Sequence, residues 1–278
     1  MRAALKVSQR RACQALGLHR SLIRYEPAAD ADRAALVRRM RELALANPRY
    51  GYRRIAALLR AEGRRANVER VLRLWRAEGL EVPHRRRKRR RLGSSEGGTR
   101  RRCAGRRSEV RSYDFVFDQT ADGRPLKVLP VVDEYTRECP AMVVGRSLRA
   151  AEVVKTQARL VAERGGPAYL RSDNGPEFIA AAVKGWPASA GVATLYIEPG
   201  SPRENAYSEP FDSRLRDELL NRELFGSLRE AEVILAEHRR AYNHDRPHSS
   251  LGYVAPAVFA PRCPPPDLAP VGPAVGNG

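Results

Sequence analysis

Residues 169–219 begin YLRSDNGPEF (169–178) and end SPRENAYSEPFDSRLRDEL (201–219). This stretch places Asp173 at the end of a short apolar run and Glu209 in a helical stretch, with 35 residues between the two acids. A third acid, Asp114, lies upstream in SYDFVF (112–117), whose alternation predicts a strand. Carboxylates on rigid elements are the oxygen ligands that Mg²⁺ prefers. The three acids are therefore candidate ligands of one metal site.

The positive charge of the chain is concentrated in its first part. The formal net charge is +19, with 31 Lys and Arg against 10 acids in residues 1–110 and 20 against 22 in the remainder. The basic part predicts a polyanionic partner, and the near-neutral part can hold a carboxylate site. The four cysteines are widely spaced and favour neither a zinc site nor a disulfide framework. No apolar run approaches the ~20 residues of a membrane helix, so we expect a soluble, intracellular protein without a membrane partner.

Residues 1–84 are predicted to be a helical domain that contacts DNA. Two short helices within 7–25, with Ser8 as cap and Gly17 at the break, resemble a helix-turn-helix, and a longer helix follows from about 30 to 46. Amphipathic helices are predicted at 52–62 and 67–78, broken at Gly63. Their polar faces carry more arginine than a solvated surface requires, which favours contact with phosphates. These arginines are Arg53, Arg54, Arg60, Arg64, Arg65, Arg70, Arg73 and Arg76.

A run of seven basic residues follows these helices. The run consists of Arg85, Arg86, Arg87, Lys88, Arg89, Arg90 and Arg91. Like charges repel one another and bury nothing, so we expect a flexible linker over 85–108. The linker can be a passive spacer and also a polycation that lies along the DNA backbone; the two roles are compatible, and neither confers sequence specificity.

The remainder is predicted to be an α/β core over 109–258, followed by a Pro- and Gly-rich tail over 259–278. Three strands come first and helices then alternate with strands, which predicts a mixed sheet flanked by helices, the order of a ribonuclease-H-like fold. The predicted strands are 112–119, 126–133, 139–145, 168–171 and 193–197. The predicted helices are 150–164, 176–190, 205–221 and 228–243.

Several stretches of this core resemble the catalytic subunit, encoded by the second reading frame, of insertion-sequence transposases of the IS-three family. The stretches are SYDFVFD (112–118), LRSDNGPEF (170–178), TLYIEPGSP (194–202), RLRDELLN (214–221) and YNHDRPHSSLGY (242–253). Residues 28–84 resemble the helix-turn-helix segment of that family. Its members are relatives of retroviral integrases, so the resemblance implies an integrase-type core.

The resemblance implies specific roles and partners. Asp114, Asp173 and Glu209 would be the catalytic ligands of Mg²⁺ or Mn²⁺, and Arg216 would contact DNA near the cut end. The enzyme would nick the terminal inverted repeats of its element and join the freed 3′-hydroxyl to a phosphodiester of target DNA. It would act as a homo-oligomer on DNA in the bacterial cytoplasm, with the upstream-frame product as a further partner.

Departures from the family pattern surround the glutamate. Arg203 and Ala206 stand where Trp and Gly are usual, and Ser208, Pro210, Asp212 and Ser213 stand where Val or Ile, Ser, Asn and Gly are usual. Proline inside a helix costs about 3 kcal/mol unless it lies in the first turn. A helix that begins before residue 206 would therefore displace Glu209, and this copy would have reduced or lost activity.

Other interpretations remain open on the sequence alone. A DNA-binding regulator without catalysis would be indifferent to Mg²⁺ and to loss of the acids, and a structure-selective nuclease of ribonuclease H type would cut but not join strands. The conspicuous residues near 242–253 favour a packed helix end and turn over a DNA contact. They are Tyr242, Asn243, Arg246, Pro247, His248 and Tyr253.

Overall fold

The computed structural model of the 278-residue chain describes residues 8–19, 31–83, 103–172, 192–196 and 207–264. Its contacts divide the chain into two compact units, Met1–Ala46 and Asn47–Gly278. Asp173, the basic run 85–91 and the predicted helix 176–190 lie outside the described residues. Within the described ranges, no helix is both long and apolar enough to cross a membrane.

The first unit contains two described helices, α1 (Gln9–Ala15) and α2 (Ala31–Ala46). The Ser8 hydroxyl accepts a hydrogen bond from the backbone N–H of Arg11 at 3.4 Å, and Gly17 has a φ of 62° just after α1. The predicted cap and break are therefore observed. The second helix predicted within residues 7–25, near 19–25, lies mostly outside the described residues.

The second unit begins with α3 (Tyr52–Ala61) and α4 (Val68–Ala77). Both helices end within one residue of the predicted positions. Gly63 has a φ of 76° between them, and the Asn67 side chain caps α4 by accepting from the N–H of Glu69. Their apolar faces are buried, as the periodicity predicts. The buried residues include Ile55, Leu59, Val71, Leu74 and Trp75.

A mixed sheet forms the centre of the second unit. Its described strands are β1 (Val110–Tyr113), β2 (Val116–Gln119), β3 (Pro125–Asp133), β4 (Ala141–Gly145), β5 (Tyr169–Ser172) and β6 (Ala193–Tyr196). β3 pairs antiparallel with β1, β2 and β4. β5 lies parallel to β1 and to β6. The predicted mixed sheet is therefore confirmed.

The first predicted strand, 112–119, is divided into β1 and β2. The register with β3 is unbroken from Tyr113↔Val131 to Val116↔Val128, which places Pro130 opposite Asp114. Proline has no N–H, so the ladder lacks a donor at this position. The strand break therefore coincides with Asp114.

Helices cover both faces of the sheet. On one face, α6 (Ser208–Leu215) and α7 (Leu228–His244) form a core with Val116, Leu126 and Val128. On the other face, α5 (Ala150–Arg164) packs through Val153 and Leu160 against Leu129 and Val131. This arrangement confirms the predicted α/β class with a helix-flanked mixed sheet.

The end of the described chain is more ordered than the sequence predicts. The short helix α8 (Pro256–Phe259) continues into a 3₁₀ turn at Ala260–Arg262, within the predicted tail. The Phe259 ring lies 6.1 Å from the ring of Tyr135, and Ala260 is buried. The ring contact of Phe259 and the burial of Ala260 explain why the first residues of this Pro-rich stretch are helical.

Candidate active site

Helix α6 carries Glu209 and begins at Ser208, with Tyr207 as its N-cap. Pro210 is thus the third helical residue, and the first helical hydrogen bond runs from the N–H of Phe211 to the carbonyl of Tyr207 at 3.3 Å. The backbone N–H groups of a first turn have no partner within the helix, so a proline there removes no helical hydrogen bond. The expectation of a displaced glutamate, which required an earlier helix start, does not apply.

This position of Pro210 predicts a contrast between two substitutions. We expect Pro210→Ala to change the free energy of unfolding by less than about 1 kcal/mol. Ser213→Pro, three residues later in the same helix, should lower it by about 3 kcal/mol, because it removes an internal hydrogen bond. Urea unfolding of both variants measures the contrast. Equal losses would mean that α6 begins earlier than residue 208.

Asp114 lies between β1 and β2 on the sheet face that α6 covers. Val116, two residues later, belongs to the same core as Phe211 and Leu215 of α6, and side chains two apart on a strand share a face. The half-buried Asp114 carboxylate accepts a hydrogen bond from the N–H of Phe115 at 2.7 Å. The break in the strand therefore presents a carboxylate to α6.

Asp212 is the acidic residue that sequence reasoning missed. Burial, together with the charges of Asp114 and Glu209 and against the opposing charge of Arg216, raises its pKa to about 8. Its Oδ1 atom is buried and has no hydrogen-bond partner among the described residues. Residues three apart on a helix share a face, so the spacing from Glu209 was the available signal. The carboxylates of Asp114 and Glu209 thus both repel the carboxylate of Asp212.

Arg216 joins the helix to the strand beside this cluster. The helix continues from α6 into a π-helical turn, Arg216–Leu220, in which the N–H of Asn221 donates to the carbonyl of Arg216 at 2.9 Å. Nη2 of Arg216 donates to the backbone carbonyl of Phe117 in β2 at 3.1 Å. The guanidinium therefore links the strand after Asp114 to the helix after Glu209, and its charge favours the ionised form of Asp212.

The structure brings together two of the three predicted ligands. Asp114 and Glu209 both act on Asp212, whereas Asp173 lies outside the described residues. Asp118, the acid next to Phe117, accepts a hydrogen bond from the N–H of Gln119 at 2.8 Å. Among the described side chains, no three His, Cys, Asp or Glu residues are grouped so as to hold a metal ion.

Comparison with known proteins assigns this arrangement to a family. Residues 106–202 and 190–256 match integrase core domains, and residues 30–89 match an HTH-like domain. The insertion element IS407 uncharacterized 31.7 kDa protein of Burkholderia multivorans is 40% identical over 260 residues, which cover 94% of this chain and 93% of that protein. The chain belongs to the integrase-type family of insertion-element transposases.

Further similarities extend over most of the chain. The insertion element IS476 uncharacterized 39.2 kDa protein of Xanthomonas euvesicatoria is 40% identical over 254 residues, which cover 91% of this transposase-family chain and 72% of that protein. A solved structure of the HTLV-2 integrase catalytic core domain in complex with magnesium has a TM-score of 0.46 at 13% identity, covering 56% of this chain and 97% of that chain.

The arginines predicted to bind DNA in this transposase-family protein have different surroundings. Arg53 is exposed, and its guanidinium lies 5.6 Å from the ring centre of Tyr52. Arg54 is half-buried and lies 3.4 Å from Glu218. Its role as a DNA contact stays a prediction, but its charge already faces a carboxylate. Residues 85–91 lie outside the described part of the chain.

The residues at the end of α7 and just after it pack inside the transposase core, as the sequence analysis favoured. Asn243 accepts from the N–H of Cys139 at 2.8 Å and donates to its carbonyl at 2.9 Å. The ring of His248 meets the ring of Tyr242 edge-on at 4.8 Å, and its Nδ1 lies 2.8 Å from the carbonyl of Arg246. Burial and the charge of Arg246 lower the pKa of His248 to about 3, so the imidazole is neutral.

Proposed function

We propose that this protein is a transposase that nicks the ends of its insertion element and joins the freed 3′-hydroxyl to another phosphodiester. The observation that carries the proposal is the effect of Asp114 and Glu209 on Asp212. A strand and a helix far apart in the chain thereby bring carboxylates together beside a cationic guanidinium. Membership of an insertion-element family supports DNA as the substrate, and the proposed DNA segments are the element's inverted repeats and its target.

The chemistry of these acids suits a divalent cation. Burial, with the charges of Asp114 and Glu209, raises the pKa of Asp212, and its buried Oδ1 has no hydrogen-bond partner among the described residues. Hard oxygen ligands of this kind suit Mg²⁺ or Mn²⁺. Asp114, Asp173 and Glu209 are the residues that would hold the metal. When bound, a pair of such cations activates the attacking oxygen and stabilises the leaving oxygen of a phosphodiester.

The protein's own side chains would position the DNA. Arg216, already anchored to β2, offers its charge to a phosphate beside the acids. The exposed arginines of α3 and α4, including Arg53, Arg60 and Arg73, would neutralise phosphates without reading sequence. Synapsis of two element ends implies a homo-oligomer on DNA in the bacterial cytoplasm, with the upstream-frame product as a further partner. The basic residues 85–91 would add phosphate contacts.

A strand-transfer assay tests this function. DNA that carries the element's own inverted repeats is incubated with the purified protein in the presence of Mg²⁺, and in a parallel reaction with EDTA. We expect nicked and joined products only with the metal. Cut but unjoined products would instead indicate a nuclease, and metal-independent binding without products would indicate a regulator. Either result would contradict the proposed function.

A further inference from the structure

Glu218, in the π-helical turn after α6, forms a two-point ion pair with Arg246. Nε and Nη2 of Arg246 lie 2.7 Å and 2.5 Å from the two carboxylate oxygens, and the side chains of the arginine and the glutamate are 2% and 11% exposed. Burial would raise the pKa of Glu218, but the hydrogen bonds and charge of Arg246, with Arg54, lower it below its usual value. A two-point charge-assisted pair of this kind fixes the orientation of both side chains.

A second arginine reaches the same carboxylate from α3, which belongs to the helix-turn-helix-like segment of residues 30–89. Nη1 of Arg54, in α3, lies 3.4 Å from Oε1 of Glu218. The guanidinium groups of Arg54 and Arg246 also lie 5.2 Å and 5.9 Å from the ring centre of Tyr50. Burial raises the pKa of Tyr50 to about 12, so its hydroxyl stays protonated. Glu218 and Tyr50 together contact two guanidinium groups, that of Arg54 in α3 and that of Arg246 just after α7.

The turn that contains Glu218 is continuous with the helix that carries the acids. α6 ends at Leu215 and the π turn follows without a break. A π turn holds more residues than an α turn, so it sets the rotation of Glu218 relative to Glu209 and Asp212. Contacts that fix Glu218 therefore also fix the direction in which the acids of α6 point.

We propose that Glu218 is a positioning residue that couples the helix-turn-helix-like segment to the active-site helix through Arg54. Rather than contacting phosphate, Arg54 holds the π turn in place, and the acids of α6 depend on that contact for their alignment. The inference rests on the proposed function, because alignment is read out through DNA cleavage and joining. It changes the role that the sequence alone suggested for Arg54.

Arg54→Met tests the coupling and leaves the Glu218–Arg246 pair intact. We expect kcat for cleavage to fall roughly 10- to 100-fold, since displacements of about 1 Å cost that much. DNA affinity and its salt dependence should not change, because no phosphate contact is lost. Arg54→Lys, which keeps the charge, should recover most of the rate. Glu218→Gln combined with Arg54→Met should be no slower than Glu218→Gln alone.

Arg39→Met is the matched control, because Arg39 lies in the same segment but pairs with Glu42 of its own helix α2 at 2.8 Å, with side chains that are 36% and 51% exposed. It should keep kcat within about twofold, since exposed pairs contribute little. A weaker affinity and a reduced salt slope for Arg54→Met, with kcat unchanged, would make Arg54 a phosphate contact and overturn the coupling.

Hydrogen exchange separates this inference from the proposed function. Backbone amides of residues 211–220 should exchange faster in Arg54→Met than in the wild type, whether or not the wild type joins DNA. An inert wild type would refute the proposed function, and the exchange result would then decide the coupling. An active wild type with unchanged exchange and unchanged kcat in Arg54→Met would refute the coupling alone.

Discussion

Glu209→Gln should abolish DNA cleavage and joining, with a loss of roughly 1000-fold or more, while DNA binding stays within about twofold of the wild type. The amide keeps the size of the side chain but cannot supply an anionic oxygen to a divalent cation. Glu209 is exposed at the first turn of α6, so the substitution should not disturb the fold. Single-turnover cleavage of DNA bearing the inverted repeats measures the loss.

Three further variants make this test specific. Asp114→Asn should cause a similar loss, and the double variant should be no slower than either single variant, because residues that act as a unit are not additive. Glu223→Gln, an exposed acid beyond the π turn, should keep full activity. Equal rates for the wild type and Glu209→Gln would remove Glu209 from the mechanism.

Asp212→Asn should raise the stability of the metal-free protein by roughly 2–4 kcal/mol at pH 7 to 8. Burial, with the charges of Asp114 and Glu209, raises the pKa of Asp212 to about 8. In the unfolded chain the same carboxyl ionises near pH 4. Between these values the unfolded state releases a proton that the folded state keeps, so stability falls as pH rises from about 4 to about 8. The neutral amide removes this loss.

Urea unfolding in EDTA from pH 4 to pH 9 measures the effect. The difference in unfolding free energy between Asp212→Asn and the wild type should be small at pH 4, should grow up to about pH 8 and should then level off. Asp217→Asn, an acid in the adjacent turn whose partner Arg49 is partly exposed, serves as the control and should show no such rise. A difference that does not vary with pH would mean that Asp212 is ionised at neutral pH.

The substitution also bears on activity. Asn is the usual residue at this position in the family that the sequence resembles, so we expect Asp212→Asn to retain cleavage and joining. The carboxyl of Asp212 is repelled by Asp114 and Glu209. Its removal should therefore not lower the rate. A loss as large as that of Glu209→Gln would instead place Asp212 among the residues that hold the metal.

The secondary structure was largely predictable because the signals are local. Apolar residues at helical spacing predicted α3 and α4 within one residue, and the helix from Ala150 to Arg164 was predicted at its observed ends. The division of the first strand could not be predicted this way. It depends on Pro130, which lies on another strand and faces Asp114 only in the folded register.

By itself, the sequence determined the family, the order of helices and strands, and the identity of Asp114 and Glu209 as candidate acids, since these depend on motifs and on short-range periodicity. Only the tertiary structure decided that Pro210 lies in a first turn, that Asp212 joins the acids and that Arg54 faces Glu218. Arg54 and Glu218 are 164 positions apart in the chain. Burial and charge depend on neighbours that only folding brings together, so a pattern of residue types cannot specify them.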